Sequence, residues 1–373
     1  MRIGVPREVK DEEHRVGLTP ASVREVVAHG HEVVVEAGAG TGIGAGDDAY
    51  VAAGARIVAD GAEAFGNADL IVKVKEPQAA ERARLEERHT LFTYLHLAPD
   101  PDQANDLIAS GATCIAYETV TDSRGGLPLL APMSKVAGRM AVQAAAHCLE
   151  APQGGSGLLI GGVPGVAPAR VVIIGGGVVG ENATEIAVGM GADVYVLDRD
   201  LEVLDGLSHR FGPAIATRYS TTAALEELVI GADVVIGAVL VKGARAPKLV
   251  SAEMVRAMAQ GSVLVDVAID QGGAMATSRP TTHSAPTYVV DGVVHYAVAN
   301  MPGAVPGTST HALNNATLPF VLELADRGPR AALEDNHHLR NGLNVAGGSV
   351  TEWAVAEALS LPYLDPEVAL KKL

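Results

Sequence analysis

Cysteine, aromatic residues and positive charge are all scarce in this chain of 373 residues. Its two cysteines, Cys114 and Cys148, cannot form a disulfide framework. Phenylalanine, tryptophan and tyrosine together make up 3% of the residues, so an aliphatic core is expected. The 28 lysines and arginines are outnumbered by 44 acidic residues, and the net charge of −16 argues against a nucleic-acid partner.

Long apolar segments are missing as well. The longest candidate, residues 234–241, is far shorter than the roughly 18 residues that a membrane helix needs. The first residues run directly into the charged segment 7–15 and do not resemble a secretory signal. We therefore expect a cytoplasmic protein without a membrane partner. Hydrophobic residues make up 48% of the chain and there are 42 glycines, which excludes general disorder and is typical of an α/β protein.

Short apolar runs alternate with helical patterns along the whole chain. Thr19 is a good N-cap with Pro20 behind it, and Gly30 suits the position just past the helix end. Near residue 133 a second series begins, with Ser134 predicted to cap a helix that runs to about residue 150. The predicted strands are residues 2–5, 31–36, 70–74, 91–95, 113–118, 170–174, 193–197, 214–218, 233–238, 262–267, 287–289 and 294–298.

This alternation of predicted strands and helices predicts two Rossmann-like, doubly wound parallel-sheet domains with an interdomain cleft. Residues 30–36 resemble residues 191–198, although parallel strands in general share such patterns. The tail after residue 300 is predicted to be helical (309–325, 331–334 and 349–359) and cannot build a domain alone. We therefore expect a discontinuous substrate domain, residues 1–130 plus 308–373, and a coenzyme-binding domain, residues 131–307.

A buried-strand pattern, residues 170–174, runs into a glycine-rich turn that fits the dinucleotide fingerprint G-x-G-x-x-G. Gly175 makes the tight turn, Gly177 lets a pyrophosphate approach the backbone, and Gly180 lets helix and strand pack closely. Val178 and Val179 complete the motif, which a helix follows. The next strand ends in Asp198, whose carboxylate would bind ribose hydroxyls and repel a 2′-phosphate, so the coenzyme is predicted to be NAD.

Ligands of open α/β sheets bind beyond the carboxyl ends of the strands. The residues that follow the predicted strands of the second series are therefore further candidates for coenzyme binding. They are Ser220, Val239, Leu240, Val267, Ala268, Ile269, Asp270, Val298, Ala299, Asn300 and Met301.

Polar residues at strand or loop ends of the first series are candidates for the reacting end, because the nicotinamide is expected to face that domain. They are Arg15, Lys75 and His96, with Asp270 contributed by the second domain. Arg15 alone is typical of a solvated charge in a charged run, and Lys75 of a strand-end lysine. A histidine after an apolar strand is more often structural than catalytic.

Several segments together resemble the family of alanine dehydrogenases and transhydrogenase NAD-binding subunits. They lie in the same order along nearly the whole chain: residues 4–8, 13–16, 73–77, 94–98, 132–134, 175–180, 265–273 and 300–303. The resemblance implies NAD-dependent oxidative deamination of L-alanine to pyruvate and ammonia, the reverse amination, and a homohexamer.

The resemblance also implies a role for individual residues. Arg15 and Lys75 hold the substrate carboxylate and carbonyl oxygen, His96 is the acid–base, and Asp270 works beside it. The residues implied to contact NAD are Ser134, Asp198, Ser220, Asn300 and, at the phosphates, Arg279. These residue types suit the chemistry, since arginine matches a carboxylate in two parallel bonds and histidine titrates near neutral pH.

Three alternatives stay open on the sequence. The first is the NAD-binding part of a transhydrogenase, which would need a membrane partner. The second is a dehydrogenase of another amino acid, such as the saccharopine or lysine-forming enzymes. The third is a non-catalytic NAD sensor. No metal site is expected, because the close histidine pairs, His29 with His31 and His337 with His338, lack a third ligand nearby in sequence.

Overall fold

The computed structural model describes residues 1–239 and 246–372. The chain divides into two compact units, of which the first is Met1–Met133 with Gly303–Leu373 and the second is Ser134–Pro302. Each unit contains one mostly parallel sheet with helices around it, so the predicted α/β class is confirmed.

The described residues form fifteen strands and fifteen α-helices. The strands are β1 (Arg2–Val5), β2 (Glu32–Glu36), β3 (Arg56–Val58), β4 (Leu70–Val72), β5 (Thr90–Thr93), β6 (Thr113–Ala116), β7 (Arg170–Ile174), β8 (Asp193–Asp198), β9 (Ile215–Tyr219), β10 (Val234–Gly237), β11 (Val263–Asp266), β12 (Thr287–Val290), β13 (Val293–Tyr296), β14 (Leu343–Ala346) and β15 (Ser349–Val350). The helices are α1 (Pro20–Ala28), α2 (Asp47–Ala52), α3 (Gly61–Gly66), α4 (Ala79–Arg82), α5 (Pro101–Ser110), α6 (Ala131–Cys148), α7 (Val178–Gly189), α8 (Leu201–Phe211), α9 (Thr222–Ile230), α10 (Ala252–Ala257), α11 (Pro306–Arg327), α12 (Pro329–Asp335), α13 (His337–Arg340), α14 (Trp353–Leu359) and α15 (Pro366–Ala369).

Both sheets have the strand order of a Rossmann fold. In the first unit the order is β3-β2-β1-β4-β5-β6-β14-β15, and in the second it is β9-β8-β7-β10-β11-β13-β12. The order reverses between β1 and β4 in one sheet and between β7 and β10 in the other. Such reversals are the points at which open α/β sheets bind ligands, because the flanking helices diverge there.

The C-terminal segment completes the first sheet with strands that the sequence did not predict. β14 pairs antiparallel with β6, and β15 pairs antiparallel with β14. The predicted helix over residues 349–359 is therefore wrong at its start, because residues 349–350 are strand and the helix begins only at Trp353. The strand Leu343–Ala346 is too short to show a period, and its partner, Thr113–Ala116, is remote in sequence.

The aliphatic core lies on both faces of the second sheet. In β7, Val171 and Ile173 pack into a cluster on one face, whereas Val172 and Ile174 pack into a cluster on the other. Burying each such side chain contributes roughly 1.5–3 kcal/mol, which explains why the strand is continuously apolar. Within the described part of the chain, no helix is long and apolar enough to cross a bilayer.

Two kinds of boundary differ from the predictions. β4, β5 and β13 end two residues before the apolar runs that predicted them, since those runs continue past the sheet edge as buried loops. Helix α6 begins at Ala131, so Ser134 lies in its first turn and is not its N-cap. Pro132 is compatible with that start, because the first turn of a helix needs no backbone N–H from proline. The caps Thr19 and Gly30 of α1 are as predicted.

Candidate functional site

The glycine-rich turn between β7 and α7 has the geometry that its sequence predicted. Gly175 has φ +102°, and a Cβ there would lie 2.8 Å from the carbonyl oxygen of Ala238. A Cβ on Gly180 would lie 1.8 Å from the carbonyl oxygen of Gly175, so only glycine allows this approach of helix and turn. At Gly177 a Cβ would meet nothing within 4 Å, which leaves open space above the turn for a ligand.

The end of β8 faces this turn. One carboxylate oxygen of Asp198 accepts the N–H of Gly176 at 2.6 Å, and the other accepts the N–H of Asp200 at 2.9 Å. A carboxylate has about four acceptor positions, so Asp198 keeps capacity for a ligand hydroxyl. It also lines an open groove together with Arg199, Asp200, Leu201, Glu202 and Tyr219.

These features fit a dinucleotide. Val178 and Val179 begin α7, whose N-terminal N–H groups form an anion site directly after Gly177. Asp198 offers a carboxylate to a ribose at the other side of the turn. The donor set therefore suits a pyrophosphate and an adenosine ribose, as the sequence predicted.

The other predicted coenzyme contacts follow the carboxyl ends of β9, β10, β11 and β13. Ser220 is buried and donates its N–H to the carbonyl oxygen of Asp198 at 2.9 Å. Leu240 lies outside the described residues. The remaining members of this group are Val239, Val267, Ala268, Ile269, Asp270, Val298, Ala299, Asn300 and Met301. Because the parallel register aligns these strand ends, the group shares one edge of the second sheet.

Members of this edge group differ in what they expose. Ala268, Ile269, Val298 and Met301 are buried and help to pack the edge, whereas the side chain of Asp270 is exposed. Asn300 has φ +60°, a left-handed conformation that asparagine tolerates better than most residues.

Two further predicted coenzyme contacts lie elsewhere in the second unit. Ser134 is half-buried at the start of α6, and that helix passes so close to α7 that a Cβ on Gly138 would lie 2.2 Å from the carbonyl oxygen of Val179. The guanidinium of Arg279 lies 4.1 Å above the ring of Tyr288. The hydroxyl of Tyr288 accepts the backbone N–H of Arg279 at 2.8 Å, so the tyrosine holds this arginine at two points.

In the first unit, Arg15 is a buried cation and not a solvated surface charge. Only 2% of the residue is exposed, and its guanidinium forms a two-pronged ion pair with Glu13, with Nε 2.7 Å from Oε1. Its Nη1 lies 3.0 Å from the sulfur of Met133. Burial lowers the pKa of Arg15, but the hydrogen bonds and charge of Glu13 outweigh that effect and raise it, so the cation is retained.

Lys75 follows β4 at the point where the strand order of the first sheet reverses. Its backbone N–H donates to Glu8 at 3.4 Å, and the same carboxylate accepts the N–H of Val74 at 2.7 Å. Glu8 also pairs with the buried Nζ of Lys73 at 3.1 Å, which Glu81 contacts at 2.7 Å. Removing one member of such a buried set costs about 3–5 kcal/mol, because it leaves an uncompensated charge.

His96 follows β5 and has a side chain that is 43% exposed. Its backbone is left-handed, with φ +48°, and its N–H donates to Oε1 of Glu118 at 2.6 Å. Its ring lies parallel to that of Tyr94, with 5.7 Å between the centroids. The first unit thus places one accessible imidazole at the carboxyl edge of its sheet.

Two family models cover almost the whole chain. The model described as the alanine dehydrogenase/PNT N-terminal domain matches residues 4–137, and the corresponding C-terminal domain matches residues 141–353.

The chain belongs to the alanine dehydrogenase/PNT family. An alanine dehydrogenase of Halomonas elongata is 60% identical over 365 residues, which are 98% of each chain. A solved L-alanine dehydrogenase is 51% identical, with a TM-score of 0.93 over 96% of this chain and 99% of that one. A transhydrogenase from Sinorhizobium meliloti, with a TM-score of 0.80 over 95% of this chain and 100% of that one, is 24% identical and shares the fold alone.

In this member of the alanine dehydrogenase/PNT family, three glutamates that the sequence did not single out hold the candidate groups of the first unit. Glu13 accepts the backbone N–H of Arg15, Glu8 that of Lys75, and Glu118 that of His96. Glu8 and Glu118 are remote in sequence from the residues they hold, so no local pattern marks them. Lys73, a cation inside the apolar run 70–74, was an available signal that buried carboxylates lay nearby.

The two close histidine pairs make contacts that involve no metal ligand set. His29 and His31 both bond to Asp326, and the rings of His337 and His338 lie 3.8 Å apart. Among the residues that the structure describes, no group of three or more histidine, cysteine or acidic side chains could hold a metal ion.

Proposed function

We propose that this chain catalyses the reversible, NAD-dependent oxidative deamination of L-alanine to pyruvate and ammonia. The observation that carries the proposal is the pairing of two residue sets in one chain. The second unit holds the glycine turn with Asp198, and the first holds Arg15, Lys75 and His96. Relatives that share nearly the full length of the chain, such as the Halomonas elongata protein, are named alanine dehydrogenases.

The second unit is the coenzyme-binding domain in this proposal, and the first unit binds the substrate. NAD, when bound, supplies the acceptor for the hydride that leaves the alanine Cα. The N-terminus of α7 above Gly177 holds the pyrophosphate, and Asp198 holds the adenosine ribose. Ser134, Ser220, Asn300 and the other residues of the strand-end group of the second sheet would contact the coenzyme, and Arg279 is assigned to the phosphates.

Arg15 and Lys75 bind the substrate. A guanidinium matches the planar substrate carboxylate, and Glu13 fixes the plane in which the guanidinium of Arg15 lies. Lys75 contributes a point charge that stabilises negative charge on the oxygen at C2 of pyruvate. Glu8 fixes the backbone from which Lys75 projects.

His96 moves the protons. It takes a proton from the water that adds to the imino carbon and returns one to the nitrogen as ammonia leaves. Histidine suits both steps, since its ordinary pKa lies near neutrality. Asp270, which is exposed at the carboxyl edge of the second sheet, is assigned to orienting that water.

The purified protein tests the proposal directly. With L-alanine and NAD, the absorbance of reduced nicotinamide is expected to rise, and with NADP it is expected to rise little, because Asp198 repels a 2′-phosphate. D-alanine with NAD is the matched control. NAD binding without reduction on L-alanine would contradict the proposal. Turnover of a larger amino acid would then favour a dehydrogenase of that amino acid, and no turnover with any amino acid would favour an NAD sensor.

We also propose that the chain assembles into a homohexamer. The segment 158–166 supports an interface between copies, since it exposes apolar side chains of Leu159 (65%), Val163 (53%) and Val166 (60%). Light scattering is expected to give a mass six times the 38.3 kDa of one chain. The Leu159→Glu and Val163→Glu double variant is expected to lower that mass, and Val51→Glu, at an exposed valine outside this segment, is not. A wild-type monomer would refute the assembly.

The cytoplasm is the proposed location of the enzyme. Cys114 and Cys148 are both free thiols inside the fold, as is usual in a reducing compartment. Burial raises their pKa to about 12 and about 11, respectively, so neither is a nucleophile in the proposed reaction. Fractionation of cells that express the protein tests the location.

A further inference from the structure

Glu118 lies beside the end of β5, although it follows the next strand of the sheet, β6. It sits in the short turn Tyr117–Thr119 that follows β6, and its side chain is 14% exposed. Both of its carboxylate oxygens accept the N–H of Leu95 at 3.2 Å, and Oε1 accepts the N–H of His96 at 2.6 Å. One carboxylate thus binds two successive N–H groups at the point where the chain leaves the sheet.

The backbone of His96 needs such support. Its φ of +48° lies in the left-handed region, which side chains with a Cβ rarely adopt. Hydrogen bonds to an ionised acceptor are shorter and stronger than neutral ones, so Glu118 can stabilise this conformation. Without it, the chain after Leu95 would be free to return to extended geometry, and the imidazole would point elsewhere.

The same carboxylate also faces the ring of His96. Oε1 of Glu118 lies 3.7 Å from Nδ1, and the ring of Tyr94 lies parallel to the imidazole, with 3° between the planes. Tyr94 is itself held, because its buried hydroxyl donates to the carbonyl oxygen of Leu129 at 2.6 Å. The imidazole is therefore oriented through its backbone, one of its nitrogens and one of its faces.

We propose that Glu118 is a positioning residue for His96: it holds the left-handed backbone and turns Nδ1 toward itself, so that Nε2 is the nitrogen that transfers protons. The proposal rests on the proposed function, since it concerns the same imidazole. It predicts a loss in the rate of the chemical step and not in the binding of either ligand.

Three variants test this role: Glu118→Ala, Glu118→Gln and Glu352→Gln. Alanine removes the acceptor, whereas glutamine keeps one oxygen for the N–H of His96. Glu352 is a matched control, because it is partly buried and close enough to Glu118 to feel its charge, yet none of its contacts is with His96. For each variant kcat, the KM for L-alanine and the Kd for NAD would be measured, with a thermal melt to show that it is folded.

For Glu118→Ala, kcat is expected to fall about a hundredfold, the size of effect that misplacing a catalytic group by about 1 Å produces. The KM for L-alanine and the Kd for NAD are expected to stay within about threefold of wild type. Glu118→Gln is expected to recover part of the loss, and Glu352→Gln to behave as wild type. If Glu118→Ala fails to fold, the test is the kcat of Glu118→Gln compared with that of Glu352→Gln. A lower kcat is then expected in Glu118→Gln.

Three results would overturn the role. One is a kcat close to wild type in folded Glu118→Ala or, if that variant does not fold, in Glu118→Gln. Another is a parallel loss of kcat and substrate binding, which would mean a general disturbance of the unit. The third is an equal loss in Glu352→Gln. If the wild type itself failed to oxidise L-alanine, the proposed function would fall first, so the two failures are distinguishable.

Discussion

Replacing His96 with asparagine is expected to lower kcat for L-alanine oxidation by about 10³-fold, while NAD binding is unchanged. A positioned acid–base group contributes roughly 10²–10⁴-fold, and the side chain of His96 is 43% exposed at this sheet edge. Asparagine tolerates the left-handed backbone at φ +48° and cannot titrate, so it removes the chemistry with little change to the fold. Steady-state kinetics and NAD titration measure the two effects.

His337→Ala is the matched control for this prediction. His337 is an exposed histidine of the first unit that starts α13, and its ring lies tilted at 37° to that of His338; it has no assigned role in the reaction. Its removal is expected to leave kcat unchanged. Near-normal L-alanine oxidation by His96→Asn and by His96→Ala would show that another group moves the protons, and the assignment of His96 would be withdrawn.

Replacing Asp198 is expected to change coenzyme preference by about 100-fold, measured as the ratio of kcat/KM for NAD to kcat/KM for NADP. A like charge placed against a phosphate costs several kcal/mol, and a factor of 100 corresponds to about 2.8 kcal/mol. Asp198→Asn isolates the charge, because its side-chain oxygen can still accept the N–H of Gly176 and so preserve the turn. Asp198→Ala removes both charge and acceptor, and is expected also to weaken NAD binding.

Arg199 supplies the control. It lines the same groove as Asp198, so it offers a cation to a 2′-phosphate once the carboxylate is gone. The double variant Asp198→Asn, Arg199→Ala is therefore expected to gain less activity with NADP than Asp198→Asn alone. An unchanged NAD-to-NADP ratio in both variants would refute the role of Asp198 in selecting the coenzyme.

The coenzyme side could be predicted in detail because its parts are close in sequence. A strand, three glycines, a helix and Asp198 follow one another, and each leaves a local pattern that backbone sterics dictate. In the structure the N–H of Gly176 donates to Asp198, which brings the acidic residue beside the glycine turn. The roles of these residues in binding NAD stay predictions, which the Asp198 variants address.

For the candidate substrate-binding residues, the sequence predicted which residues they are but not how buried they are or which groups they contact. Arg15, Lys75 and His96 could be named from their motifs, yet Arg15 had the local pattern of a solvated charge and is buried against Glu13. Such burial depends on which segments fold over the arginine, and a single sequence does not contain that information. Strand ends were misplaced for a related reason, since apolar residues continue past the sheet into buried loops.

The amino-acid sequence by itself determined the α/β class, the two sheet-forming series, the glycine turn with its acidic partner and the identity of the candidate reacting residues. Local propensity and motif spacing are sufficient for the first three, whereas the reacting residues were named from strand ends and from the resemblance to a known family, and their roles stay predictions. The tertiary structure decided that a C-terminal strand joins the first sheet, and that Glu8, Glu13 and Glu118 hold the candidate groups. Most of these contacts join segments far apart in the chain. Burial and hydrogen bonding determine which segments pair, and the periodicity of one segment does not identify its remote partner.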